Sequence, residues 1–190
     1  TMRINNQRGT SLLELLVALA LFTFMILAST QIFKMVIDGQ HNAISAQNVQ
    51  ENMRYAMEKI SKEIRMAQIS NHSCEAIFTP PAVAVNKVFN TTDGGTKIYF
   101  LNKNSDKCLA YYLENNRLKI KSMGSETLVD FVTPTEIEVS NLKFTVVDDL
   151  IGEFHSLQPS VTITMDIKAV GLVIHEQRMK IQMTVSSRYY

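Results

Sequence analysis

The chain has 190 residues, 46% of them hydrophobic, with 19 Lys and Arg against 18 Asp and Glu and a formal net charge of +1. That apolar content excludes a disordered chain, and the even charge argues against a nucleic-acid binder, which needs a concentrated basic face. Such a length holds one medium globular domain with an extension, or two small domains.

Residues 1–9 are polar, carry Arg3 and Arg8 and contain no acid. Positive charge ahead of an apolar run holds that end on the cytoplasmic side, so the remainder is expected outside the cytoplasm. Thr1 stands ahead of Met2, which we read as a start other than the natural one. Leu12–Ala28 is nearly all Leu, Ala, Val, Phe, Met and Ile. With Thr10 and Ser11 it approaches the roughly 20 residues that span hydrocarbon as a helix.

Three readings of this run compete. A secretory signal cut after Ala18-Leu19-Ala20 would leave Leu21–Ala28 as an apolar block at the new terminus. A plain signal anchor accounts for the span but not for Glu14, although a carboxylate at the bilayer centre costs about 2.5–3.5 kcal/mol. The third reading cuts after Gly9. The freed α-amino group of Thr10 has an ordinary pKa of about 7.7–8 and is largely cationic at neutral pH. Glu14 then lies one helical turn along, and the amine of one subunit can neutralise the Glu14 of a neighbour. Removing either partner would strand the other at a cost of about 3–5 kcal/mol.

Arg8-Gly9-Thr10-Ser11-Leu12-Leu13-Glu14-Leu15-Leu16-Val17-Ala18-Leu19 resembles the class III signal of type IV pilins and pseudopilins. The shared features are a short basic leader, the Gly, the glutamate in the fifth mature position and the Leu-rich continuation. Thr10 stands where the family most often has Phe. The resemblance implies cleavage by prepilin peptidase between Gly9 and Thr10, N-methylation of the new terminus, and the Thr10–Glu14 pair as an assembly signal. It implies as partners other pilin or pseudopilin subunits met through the N-terminal helix, the peptidase, the inner-membrane assembly platform and the lipid bilayer. The expected location is single-pass in the cytoplasmic membrane with an extracytoplasmic C-terminal head, then the base, shaft or tip of a filament.

Beyond the apolar run no proline occurs before Pro80, and Gly39 is the only glycine between Thr10 and Thr79. Met53, Ala56, Met57, Ile60, Ile64 and Ala67 recur at spacings of three and four, which predicts a helix with one apolar face packed on its own domain. Glu58 and Lys62 stand at the favourable i,i+4 spacing. One helix from about Thr10 to Ser70 would be roughly 90 Å long at 1.5 Å per residue. Asp38-Gly39 is its weakest point and a candidate bend, glycine there costing about 1 kcal/mol relative to alanine. The stretch 48–67 resembles the second helical half of J-type minor pseudopilins and related minor pilins, which implies a minor subunit.

After Asn71 the period changes to two. Turn signals at Thr79-Pro80-Pro81, Asp93-Gly94-Gly95, Asn102–Asp106 and Glu114-Asn115-Asn116-Arg117 separate predicted strands at Lys97–Leu101, Cys108–Leu113, Leu118–Lys121 and Glu136–Val147. In the last of these the inward set slips by one residue, Ile137 and Val139 giving way to Leu142, Phe144 and Val146, which predicts a bulge near Ser140-Asn141. Val161, Ile163, Met165, Ile167 and Ala169 alternate with polar residues, as do Met179, Ile181, Met183 and Val185 after a turn near Val170-Gly171-Leu172. This is the pattern of an antiparallel hairpin covered on one side. The expected fold class is α+β, a long N-terminal helix packed on an antiparallel β-sheet head. The expected domains are a leader at 1–9, a transmembrane and filament-core helix at 10–30, an amphipathic helical stalk at 31–71 and a β head at 72–190.

Catalytic chemistry is not visible. His175-Glu176 opens like a zinc-protease motif, but Met179 stands where the second ligand would be. Cys74 and Cys108 suit a disulfide in an exported domain, and two unpaired buried thiols, or a metal set with His72, stay open. Asp148, Asp149 and Glu153 surround a glycine, and some pseudopilins bind calcium in a loop; the spacing fits no calcium loop, and a solvated turn is expected. No catalytic residue, cofactor or metal site is expected. The expected function is a minor pilin or pseudopilin, a structural subunit of a type IV pilus, a type II secretion pseudopilus or a DNA-uptake filament. The alternative is a signal-anchored extracytoplasmic binding domain that does not polymerise.

Overall fold

The computed structural model describes residues 11–70, 74, 87–123, 127–148, 150–151, 154–155, 157–170 and 178–188. Helix α1 occupies Leu12–Arg65, 54 residues. It runs without interruption through Asp38-Gly39, where a Cβ on Gly39 would meet nothing within 4 Å. Two compact units divide the chain, Thr1–Ala43 and Ile44–Tyr190. The first contains the apolar part of α1. The second contains the rest of α1 and all the described strands.

In the second unit, the spacing of three and four becomes a buried stripe. Val49, Met53, Ala56, Met57, Ile60 and Ile64 are buried. The polar positions between them are exposed or half-buried, and Arg54 takes Glu58 one turn ahead at 2.9 Å. The helix ends at Arg65 rather than near Ser70, and Ala67 continues the buried set from a strand. Strand β1, Ala67–Gln68, leaves the helix axis to pair antiparallel with β3, Lys97–Asn102. The last helical carbonyls, which a helix cannot satisfy itself, take amides from elsewhere in the domain. Lys103 N–H donates to Met66 O at 2.9 Å and Arg188 N–H to Arg65 O at 3.0 Å. Ser187 Oγ–H donates to Ala67 O at 2.5 Å just beyond.

The larger sheet runs β1-β3-β4-β5-β6, with β2 (Phe89–Thr92) also on β3, β4 at Lys107–Glu114, β5 at Arg117–Met123 and β6 at Leu128–Phe131. Asn115 and Asn116 both have positive φ, 53° and 56°, between the paired Glu114 and Arg117, the mirror-image two-residue turn that suits strand twist. The smaller sheet is β11-β10-β7, with β7 at Ile137–Val147, β10 at Ser160–Ala169 and β11 at Arg178–Ser186. Among the described residues, Leu150–Ile151 (β8) and Phe154–His155 (β9) pair only with each other. The predicted bulge is present. Thr164 faces Lys143 while Asp166 faces Ser140, so β7 holds one extra residue there, and Asn141 takes φ 51°.

One core joins α1 to both sheets. Ile60 and Ile64 share it with Phe89, Phe100, Tyr111 and Leu118 of the larger sheet and Val139, Phe144, Ile163 and Met165 of the smaller. Phe100 packs edge-on to Phe89 at 5.9 Å and stacks with Tyr111 at 6.2 Å. The expectation of single-sided cover holds for β10, whose burial alternates strictly. β3, for which no such alternation is expected, is different: Ile98 through Asn102 are all buried. The second face of the larger sheet carries Tyr99, Leu101, Cys108 and Ala110, and buried Cys74 closes over it.

The turn Asp93-Gly94-Gly95 is a short 3-10 helix, and Gly95 takes φ +93° with its α-carbon against β7. A Cβ there would lie 2.7 Å from Phe144 O. We expect Gly95→Ala to lower stability by about 1–3 kcal/mol from the backbone conformation alone. Urea unfolding of the variant beside the parent measures it, and a loss no larger than that of Gly94→Ala would contradict the clash.

Candidate functional site

Residues 11–33 hold a single ionisable side chain, Glu14. The large apolar side chains along this stretch face outward. Leu12 is 77% exposed, Phe22 60% and Phe24 72%. The helix is long and apolar enough to cross a membrane. Two of its hydroxyls bond back onto the helix. Thr23 Oγ1–H can donate to Leu19 O or Ala20 O, each at 2.9 Å, and Thr30 Oγ1–H donates to Ile26 O at 2.8 Å. Such back-bonding lets a hydroxyl sit in hydrocarbon without an outside partner.

Glu14 has no such internal solution. Its own amide donates to Ser11 O at 2.9 Å, so it sits in the first turn of α1, where the helix dipole favours a negative charge by about 0.3–1 kcal/mol. Among the described residues the carboxylate has no hydrogen-bond or ion-pair partner. Beside it, the small Ala18 leaves a notch walled by Leu15, Leu19 and Phe22. The arrangement is an unmatched acid next to a recess on a greasy surface. Gly9 and Thr10, the expected cleavage residues and the source of the pairing amine, lie outside the described residues.

In the second unit the structure joins Cys74 to Cys108 as a disulfide, with Cα atoms 5.6 Å apart, so both sulfurs are committed to each other. His72, Asp149, Glu153, His175 and Glu176 lie outside the described residues. Asp148 departs from the expected solvated turn. Its Oδ2 accepts from Val88 N–H at 2.8 Å and Phe89 N–H at 3.0 Å, fixing the start of β2 to the end of β7. Met179 sits half-buried on β11 between exposed Arg178 and Lys180.

Sequence reasoning missed the polar joint at the end of α1. Buried Asn102 donates from Nδ2 to Glu63, and its Oδ1 accepts from Asn104 N–H at 2.9 Å. Desolvation raises the Glu63 pKa above the ordinary carboxylate value, with Lys59 and Lys62 pulling it down. The same burial, with Glu63 nearby, pushes the Tyr111 hydroxyl well up. A carboxyl whose folded pKa is raised stabilises the fold most below its unfolded pKa, and the contribution is lost as pH rises through the folded value. Glu63→Gln should therefore flatten the fall in stability above about pH 4.5, by about 0.2–0.5 kcal/mol because half the group meets water. Urea midpoints at acidic and neutral pH check this. An unchanged difference between the two pH values would contradict it.

The prokaryotic N-terminal methylation motif matches residues 4–30, a span that contains Gly9, Thr10 and Glu14. The model of prepilin peptidase-dependent protein B matches residues 42–189, nearly the whole of the second unit. No curated protein and no solved structure matches. A methylation motif on an apolar helix that can cross a membrane, followed by a head matched from end to end, makes this a membrane-anchored pilin-like chain. It belongs to the prepilin peptidase-dependent protein B family.

Proposed function

We propose that the chain is a minor pilin or pseudopilin, a structural subunit of a type IV pilus, a type II secretion pseudopilus or a DNA-uptake filament. Prepilin peptidase cuts between Gly9 and Thr10. The mature subunit waits in the cytoplasmic membrane with its head outside, and the assembly platform then moves it into the filament. The observation that carries this reading is one outward-facing apolar surface, Leu12–Ala28, marked by a single carboxylate at Glu14. Leu12–Ala28 must stay out of water, so a subunit leaves lipid only for a core of similar helices. Glu14 supplies register there, because an incoming Thr10 ammonium neutralises it. No enzymatic role enters this proposal, in keeping with a pilin-like, structural family.

Mass spectrometry of the membrane-extracted chain tests the cleavage. The expected mature terminus is Thr10. Retention of residues 1–9 would overturn the filament reading and favour a signal-anchored binding domain that stays single.

A further inference from the structure

A groove of about 630 Å³ opens beside the C-terminal end of α1. Met57, Met66 and Met183 supply its apolar lining, and methionine adapts readily to side chains of different shape. Around the rim stand Arg54, Lys62, Arg65 and Arg188 against Glu58 and Glu63. Glu58 is taken by Arg54 at 2.9 Å, and Glu63 is bonded to Asn102 with Lys62 close enough to act on it. The surplus is Arg65 and Arg188, both exposed and, among the described residues, without a carboxylate partner.

We propose that this groove binds an acidic segment of a neighbouring protein subunit. One apolar side chain of that segment rests on the methionines, and its carboxylates face Arg65 and Arg188. The argument for this occupant is charge complementarity around an apolar floor, which selects an acidic partner and rejects a basic one. Naming the neighbour as a subunit rests on the filament reading; the groove and its preference do not. Among the described residues the fold uses the main chains of Arg65 and Arg188, through the bond from Arg188 N–H to Arg65 O, so their side chains are the ones to change.

The test uses the full chain in a non-ionic detergent and a fluorescent synthetic peptide with Asp and Glu on either side of one Leu. Anisotropy should show saturable binding that weakens with added salt. R65Q/R188Q should weaken it about tenfold, replacing the Leu by Ala should weaken it severalfold, and a Lys-for-acid peptide should not bind. Ser61→Glu, which places an acid in the lining, should weaken binding while leaving the thermal melt unchanged. Equal binding of acidic and basic peptides, or unchanged affinity in R65Q/R188Q, would overturn the proposal. So would Arg-dependent capture of phosphatidylglycerol vesicles with no Leu-dependent peptide binding, which would assign the surface to a membrane. These readouts need no filament, so they separate failure of the groove from failure of the assembly reading.

Discussion

Glu14→Ala should reach the membrane in normal amounts yet fall out of filaments. Removing the carboxylate makes α1 more apolar, which favours insertion. On the proposed pairing, the same change leaves the Thr10 ammonium of a neighbour buried without an opposite charge, at a cost of about 3–5 kcal/mol. Near the lower bound this is about a hundredfold in incorporation. Immunoblots of sheared filaments against the membrane fraction measure the ratio. Glu14→Gln keeps the side-chain volume and a hydrogen-bond acceptor, so it separates charge from shape, and it should fail nearly as badly. Normal incorporation of both variants would remove charge pairing from the account of assembly.

The second large effect is expected in the head. Ile60 is fully buried on the face of α1 that meets both sheets. Ile60→Ala removes three carbons from a site enclosed by rigid strands, and such changes cost about 2–5 kcal/mol. We expect the upper half of that range, because both sheets close on the same stripe and neither can follow the missing atoms. Tyr55 lies on the same helix, 63% exposed, and Tyr55→Ala should change stability by no more than about 0.5 kcal/mol. Urea unfolding of the two variants provides the comparison. Equal losses would mean that α1 does not carry the core.

The parts legible in the sequence were those with a repeating local signature. The stripe from Met53 to Ile64, the alternation in β10 and the slip that marks the β7 bulge all follow from side-chain periods of 3.6 and 2. Glu14 stood out because it is the single charge in a long apolar run. The end of α1 was misread because its stop is made by main-chain donors of Lys103 and Arg188, and a backbone amide carries no residue-type signal. Glycine or proline would have announced a local stop, and neither is there. Two-sided burial of β3 was hidden for a related reason. Tyr99, Leu101 and Ala110 do not declare what will lie over them, and Cys74, which does, is distant in sequence. Asp148 sits in an acidic stretch that reads as a wet turn, whereas its partners are two amides some 60 residues earlier.

The joint after Arg65 has a mechanical consequence. β1 against β3, the amide of Lys103 and the amide of Arg188 connect the end of α1 to both sheets. A load applied through α1 is thus divided between the two sheets instead of resting on one contact. Such a head resists being peeled from its tether, and under tension the first element to give way should lie away from this joint.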